Sequence, residues 1–335
     1  MRKKFLLLTS LFLTCASLSL DAGIIIKGGK IYDSDDVATG TLEEHYKLAQ
    51  EAYSQQDWKE AAKQYNILAI NFLPCDMTKD AYFYSGVSYF NMEEYEFGNL
   101  QFTNYIKSQN NPKYYEEAIR YKYMIAEAFR NGAKRHIMGY KMLPSWLSAS
   151  EMSVETYKEV IAALPCHDLA AQALFSKACL HWSEDDYREA VDTFQTLIKR
   201  FPKNELAPES YLSINRVYLE QSQREFQNPD ILELAQLNAR KFARDFPGEE
   251  RLQEANADVL AIKEVYATGL YETGQFYERK GKPQASILYY KKAIEKFPDT
   301  EISEKCKQRY YALTGKIAPK DDDNNNTADL KNHDT

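Results

Sequence analysis

The sequence predicts an all-α fold of tandem helix pairs, and three observations carry that prediction. Glycine and proline are scarce, 13 and 11 against 25 tyrosines in 335 residues, which favours long helices with few sharp turns. A set of small residues, aromatics and a closing proline recurs along the chain in fixed order. Several of these sets are split by a short polar turn, as an antiparallel helix pair requires.

The first set is Ala49, Tyr53, Ala61, Tyr65 and Pro74, with Asp57-Trp58 at the turn. The second is Gly86, Tyr89, Gly98, Phe102 and Pro112, and its two small residues are displaced from Ala49 and Ala61 by the same interval. A small residue in the first helix lets the second approach, a small residue in the second returns the favour, and the following aromatic fills the gap. Proline then ends the unit. These are the landmarks of the tetratricopeptide repeat.

A fourth copy is the cleanest, with Ala178, Ala190, Phe194 and Pro202 around an Asp185-Asp186-Tyr187 turn. The last has Phe276, Tyr277, Gly281, Ala285, Tyr289 and Pro298. The third and fifth copies are longer. Between Ala126-Phe129 and Tyr157-Pro165 lies an insertion around Asn131 to Ala149, whose Gly132, Gly139, Pro144 and Trp146 read as irregular structure. The fifth runs from Tyr218 through Ala235 and Phe242 to Pro247. About six helix pairs therefore span Thr41 to Leu313, with a C-terminal capping helix over Ile302 to Leu313. Since no such unit buries its apolar face alone, the expected product is a tandem tetratricopeptide-repeat superhelix with a concave groove.

The flanks read differently. Arg2, Lys3 and Lys4 precede an apolar run from Phe5 to Thr14, too short to span a bilayer, so residues 1–19 are expected to be a cleaved export signal. Cleavage before Cys15 would leave a lipidated N-terminus, whereas Cys15-Ala16-Ser17 and Ser17-Leu18-Ser19 suit an ordinary signal peptidase. Residues 20–40 lack helical periodicity and read as a flexible tether. Lys27-Gly28-Gly29-Lys30 is not a phosphate loop, because Ile31 follows where Ser or Thr is needed. Residues 41–315 form the expected repeat domain, and residues 316–335, with Asp321 to Asn326, a disordered polar tail.

The chemistry that the sequence offers is that of binding. The net charge of −7 opposes nucleic acid and anionic lipid headgroups alike, so neither is expected as a partner of the folded body, and no cofactor motif occurs. Cys166, His167, Cys179 and His181 are tempting zinc ligands, but a helix beginning at Asp168 separates the two pairs by about 17 Å. No metal site is expected. The five histidines are scattered and no nucleophile–base motif occurs, so the chain is expected not to be an enzyme. Cys75 and Cys166 follow the repeat-closing Pro74 and Pro165 two repeats apart, too far to bridge. Binding should instead rest on the first helix of each repeat, where Tyr46, Gln50, Tyr53, Phe83, Val87, Phe90 and Asn91 make an aromatic face with polar edges suited to an extended peptide, with the inter-helix core as the competing place for several of these aromatics.

Trp58-Lys59-Glu60-Ala61, Tyr82 to Asn91, the insertion inside the third repeat, and above all Ile262-Lys263-Glu264 through Phe276-Tyr277-Glu278-Arg279-Lys280-Gly281 to Phe297-Pro298-Asp299-Thr300 resemble the BamD family of outer-membrane β-barrel assembly lipoproteins. The resemblance implies a protein on the periplasmic face of the cell outer membrane, with a possible lipid at Cys15. It implies that Tyr46, Tyr53, Phe83, Phe90 and Asn91 receive the targeting signal of unfolded β-barrel clients. It also implies that Arg279 and Lys280 dock on a POTRA domain of a BamA-like protein. The chain carries one repeat more than the family's usual five, the one closing at Pro202, and Phe12-Leu13-Thr14 departs from the usual lipobox. A periplasmic scaffold for cell-wall or division proteins is the competing reading.

Overall fold

A computed structural model describes residues 24–27, 30–33, 36–141, 143–225 and 228–315. The expected signal, Cys15 and the polar tail lie outside the described residues. Among those residues, no helix is long and apolar enough to cross a membrane.

Among the described residues, thirteen α-helices follow one another in the order the landmarks require. They are α1 (Leu42–Ser54), α2 (Trp58–Asn71), α3 (Ala81–Asn91), α4 (Tyr95–Ser108), α5 (Tyr115–Arg130), α6 (Ser150–Ala163), α7 (Asp168–Ser183), α8 (Tyr187–Arg200), α9 (Leu206–Arg224), α10 (Pro229–Asp245), α11 (Arg251–Arg279), α12 (Pro283–Lys296) and α13 (Glu301–Thr314). Six consecutive pairs and a final helix result, and the fold is an all-α tetratricopeptide-repeat array. Two short antiparallel hairpins accompany them. One pairs β1 (Ile24–Lys27) with β2 (Lys30–Asp33), where the sequence suggests an aperiodic tether. The other pairs β3 (Lys134–His136) with β4 (Ser145–Ser148) inside the insertion. Just after the first hairpin, Asn66 and Asn71 of α2 donate to the Asp36 side chain and carbonyl, both at 2.7 Å.

The chain divides into two compact units, Met1–Leu180 and His181–Thr335. In the first, each helix from α1 to α5 packs on the next. Its core follows the landmarks, with Ala49, Ala61, Phe102, Ala126 and Tyr157 fully buried. A Cβ on Gly86 would meet the Phe102 ring at 2.9 Å, so the glycine permits the packing of that ring. In the third pair Ser153 plays the small residue and donates its hydroxyl to the Ala126 carbonyl at 2.8 Å. One charge is buried here. Lys122, 2 % exposed, lies on the apolar stripe of α5 and donates to Asn99 Oδ1 and Thr103 Oγ1, both at 2.6 Å, while Glu159 Oε2 lies 2.7 Å away. Desolvation holds its pKa below the usual lysine value. Three helices, α4, α5 and α6, are thereby tied through one ammonium, and removing any partner would leave an uncompensated buried charge.

In the second unit α9 packs on α8, α10 and α11, and α11, α12 and α13 pack together at the end. The landmarks of the last repeat need a correction. Ser286 and Tyr290 are fully buried, whereas Ala285 and Tyr289 are only half-buried. The small residue facing Tyr290 is Gly274, where a Cβ would overlap the ring. The true register is one residue later than the aromatic run Phe276-Tyr277 suggests.

The turns inside four of the pairs share one device. Gln56, Glu93, Asp185 and Gly281 all sit at positive φ, between 60° and 66°, one residue before the second helix's N-terminal flank. Only the last is glycine. A side-chain-bearing residue in this region costs about 1–2 kcal/mol relative to glycine. Glu93 is exposed, and among the described residues its side chain has no hydrogen-bond or ion-pair partner that would offset this. Glu93→Gly is therefore expected to stabilise the protein by about 0.5–1 kcal/mol in urea unfolding, after the entropy of the freer unfolded glycine is subtracted.

Candidate peptide-binding face

The first unit presents a continuous run of aromatic rings. Tyr53 of α1 meets Trp58, Tyr65 and Tyr84 with centroids 5.4, 6.0 and 5.3 Å apart. Tyr84 leads to Tyr114 at 5.9 Å, and Tyr114 stacks on Phe83 at 4.5 Å and 17°. Tyr121 then contacts Phe83, Phe102 and Phe90, the last at 5.1 Å, and Phe90 contacts Tyr95 at 5.6 Å. Tyr53, Tyr84, Phe90, Tyr114 and Tyr121 are half-buried, so one edge of each ring remains available. Rings of this kind offer large contact area with few rotors to freeze.

The expected binding residues divide accordingly. Tyr46 is half-buried, and its hydroxyl accepts from Gln50 Nε2 at 2.9 Å. Tyr53 and Phe90 keep partial exposure within the run. Asn91 is exposed, but its amide is committed to the Val87 carbonyl at 2.8 Å, where it closes the last turn of α3. Phe83 is a core residue, 7 % exposed, and its expected place in the groove is corrected. Burial of a phenylalanine contributes about 1.5–3 kcal/mol and its ring pair about 0.5–1.5 kcal/mol more, which outweighs what a surface contact would return. Tyr84, Tyr114 and Tyr121 take its place at the surface. Sequence reasoning missed Tyr114 and Tyr121, which flank and lie within α5, because the rule of inward positions was not carried to that helix; Tyr84 lies on α3 itself, beside the Phe83 that was chosen instead.

The polar edge of this face is set by hydroxyls. The Tyr84 and Tyr114 hydroxyls lie 3.0 Å apart, and Lys113 Nζ donates to the Tyr114 hydroxyl at 2.8 Å. Lys113, then Tyr84, stabilise the Tyr114 phenolate and hold its pKa below the usual tyrosine value, while desolvation pushes Tyr84 upward. The phenol that ionises first should therefore be Tyr114.

In the second unit Arg279 closes α11, Lys280 caps it and Gly281 turns the chain. Both cations are exposed, and no carboxylate pairs with either among the described residues. The neighbouring Glu278 is engaged by the Tyr290 hydroxyl at 3.0 Å and by Arg309. Lys280 Nζ stands 5.6 Å from the Phe276 ring, which is 46 % exposed. A basic and aromatic corner results, of the sort that meets an acidic partner. Between α8, α9 and α10 lies a cleft of about 650 Å³ lined by Leu234, Leu237, Lys199, Lys241 and Arg244, which no sequence motif announced.

The candidate zinc quartet does not assemble. Among the described residues, the group able to converge on a cation is His181, Glu184 and Asp186, whose potential ligand atoms lie within 4.8 Å of one another. His167 instead accepts the Leu169 amide on Nδ1 at 3.0 Å, at the start of α7. Cys75, Cys166 and Cys306 are free thiols, and burial pushes that of Cys306 up to about 12.

The tetratricopeptide repeat family model matches residues 172–204 and 269–300, which cover the α7–α8 pair and the last pair. No curated protein matches the chain. Solved structures similar to it include a tetratricopeptide repeat protein from Parabacteroides merdae, at 12 % identity and TM-score 0.33, covering 82 % of this chain and 98 % of that one. The C-terminal part of a repeat-containing protein from Cytophaga hutchinsonii is similar at 11 % identity and TM-score 0.32, covering 78 % and 98 %. The apo form of RapI is similar at 11 % identity and TM-score 0.32, covering 81 % and 99 %. The chain thus carries tetratricopeptide repeats, an architecture suited to holding protein or peptide partners.

Lys113→Met is expected to raise the Tyr114 pKa, because it removes the cation that favours the phenolate. In an alkaline absorbance titration the wild type should show one phenol ionising below the ordinary tyrosine range, and the variant should lack it.

Proposed function

We propose that the chain is a non-enzymatic interaction scaffold whose first unit binds an extended, aromatic-rich peptide segment. The half-buried tyrosine run from Tyr53 through Tyr84 and Tyr114 to Tyr121 and Phe90 is the observation that carries this reading. An extended peptide would lay alternate side chains on these rings and present its backbone to the hydroxyl edge.

More finely, we propose that the peptide is the targeting segment of an unfolded outer-membrane β-barrel protein and that the scaffold works at the periplasmic face of the outer membrane. The resemblance of its last repeat and its third-repeat insertion to BamD supports this. A C-terminal β-strand of such a client alternates apolar and polar residues and often carries aromatics, which matches the chemistry of the ring run. Arg279 and Lys280, exposed and without a carboxylate partner among the described residues, are the proposed contact to a BamA-like POTRA domain.

Two measurements test these two levels. A peptide with alternating aromatic residues should bind in fluorescence anisotropy, and the double variant Tyr84→Ala and Tyr121→Ala should weaken it by about tenfold or more, while a peptide of the same composition without alternation should bind poorly. Equal affinity of wild type and variant would remove the ring run from the site. For the assembly role, a BamA-like protein should co-purify from envelopes with the wild type and be lost with Lys280→Glu. Its absence from both, in detergent that preserves envelope complexes, would sink that role and leave a cell-wall or division scaffold as the better account.

A further inference from the structure

The insertion between α5 and α6 reverses the charge of the chain around it. From Asn131 to Ala149 the sequence holds Lys134, Arg135 and Lys141 and neither Asp nor Glu, in a protein of net charge −7. The same stretch concentrates exposed apolar surface: Tyr140 is 56 % exposed, Leu143 37 %, Trp146 73 % and Leu147 39 %. The register of β3 on β4 shifts between Arg135, opposite Leu147, and His136, opposite Ser145. Trp146 is thus the extra residue of a bulge, a device that re-aims a side chain, and here the ring goes to solvent.

The hairpin is held firmly at its base. The His136 amide donates to Glu96 Oε2 at 2.9 Å, its ring lies 5.3 Å from Phe97, and Lys141 Nζ stands 5.0 Å over the Tyr89 ring. The acids facing the insertion, Glu94 and Glu96, lie 3.6 and 3.7 Å from His136. No carboxylate pairs with Lys134, Arg135 or Lys141 among the described residues. Arg135 Nε donates to the Ser148 carbonyl at 3.2 Å, and a hairpin made only for stability would not leave a tryptophan and two leucines exposed beside cations that no carboxylate neutralises. Amphipathic rings flanked by lysine and arginine are the composition of the membrane–water interface, where the ring sits at headgroup depth and the cations meet phosphate.

We propose that the β3–β4 hairpin is a docking element for an anionic lipid surface, with Trp146 and Leu143 entering the headgroup layer and Lys134, Arg135 and Lys141 meeting lipid phosphates. The inference stands apart from the peptide-binding face and needs neither a lipid at Cys15 nor a BamA-like partner.

The test uses the full chain and its Trp146→Ser variant, so that the difference between their fluorescence spectra isolates Trp146. With equimolar phosphatidylcholine and phosphatidylglycerol vesicles, the Trp146 emission should shift to the blue and be quenched by brominated lipid. Phosphatidylcholine alone should give little of either. Each basic side chain near an anionic surface is worth about fivefold in partitioning, so Lys134→Glu with Lys141→Glu should raise the lipid concentration needed for the shift by well over tenfold. Circular dichroism should report unchanged helix in both variants, since the substituted side chains are exposed. An unshifted Trp146 signal with anionic vesicles would overturn the proposal and leave the hairpin to an acidic protein partner. Equal response to neutral and anionic vesicles, or none to charge reversal, would overturn the role of the basic residues.

Discussion

The close approach of two helices through a residue too small to keep them apart is the constraint on which the repeats depend. At Gly86 the Phe102 ring occupies the space that a side chain would take, and at Gly274 the Tyr290 ring does the same. Each aromatic is fully buried, so each repeat contributes one large ring to a layer that neither helix could cover alone. Interiors packed to this density do not absorb even one added methyl without displacing a neighbour.

That packing has consequences at the surface. Once Phe102 is seated, Tyr121 stacks on it at 5.1 Å and 10°, and Phe83 and Tyr114 complete the layer. The core therefore extends outward as a graded series, from rings with no exposure to rings with one free edge. The candidate peptide face is the outer margin of the repeat core, and its tyrosine hydroxyls supply the polar rim. Lys122 adds a second constraint, since its three polar partners fix α5 against the helices before and after it.

The array of helix pairs was legible because its signal is redundant. Small residue, aromatic and proline recur at several copies, and an error at one copy does not spoil the rest. Where the signal was local, it misled. In the last repeat Ala285 and Tyr289 mimic the landmarks one position early, and only the burial of Ser286 and Tyr290 exposes the slip. Phe83 reads as inward by helix geometry, yet depth within the layer depends on Tyr114 and Phe102 across the repeat, which spacing along one helix does not encode. The hairpin in the insertion depends on pairing between residues 134–136 and 145–148, and its turn residues alone announced only irregular chain. Lys122 was not singled out from the sequence, although a lysine on the apolar stripe of α5, between Ile119 and Ile125, is the signal that could have found it, since such a position asks for buried partners. The His181, Glu184 and Asp186 group forms where the α7–α8 turn folds back at Asp185, a proximity that residue type and spacing along one helix do not encode.

The most direct test of the account is a comparison of two alanine substitutions in the second repeat. Alanine should add about 1 kcal/mol of helix propensity at either Gly86 or Gly98. At Gly98 the new Cβ meets nothing nearer than 3.4 Å, whereas at Gly86 it would press on the buried Phe102 ring at 2.9 Å. In urea unfolding, Gly98→Ala should leave stability unchanged or raise it, and Gly86→Ala should lower it by about 1–2 kcal/mol, as overpacking outweighs propensity. Equal effects of the two substitutions, or stabilisation by Gly86→Ala, would contradict the claim that the small residue beneath the aromatic sets the spacing of the repeats.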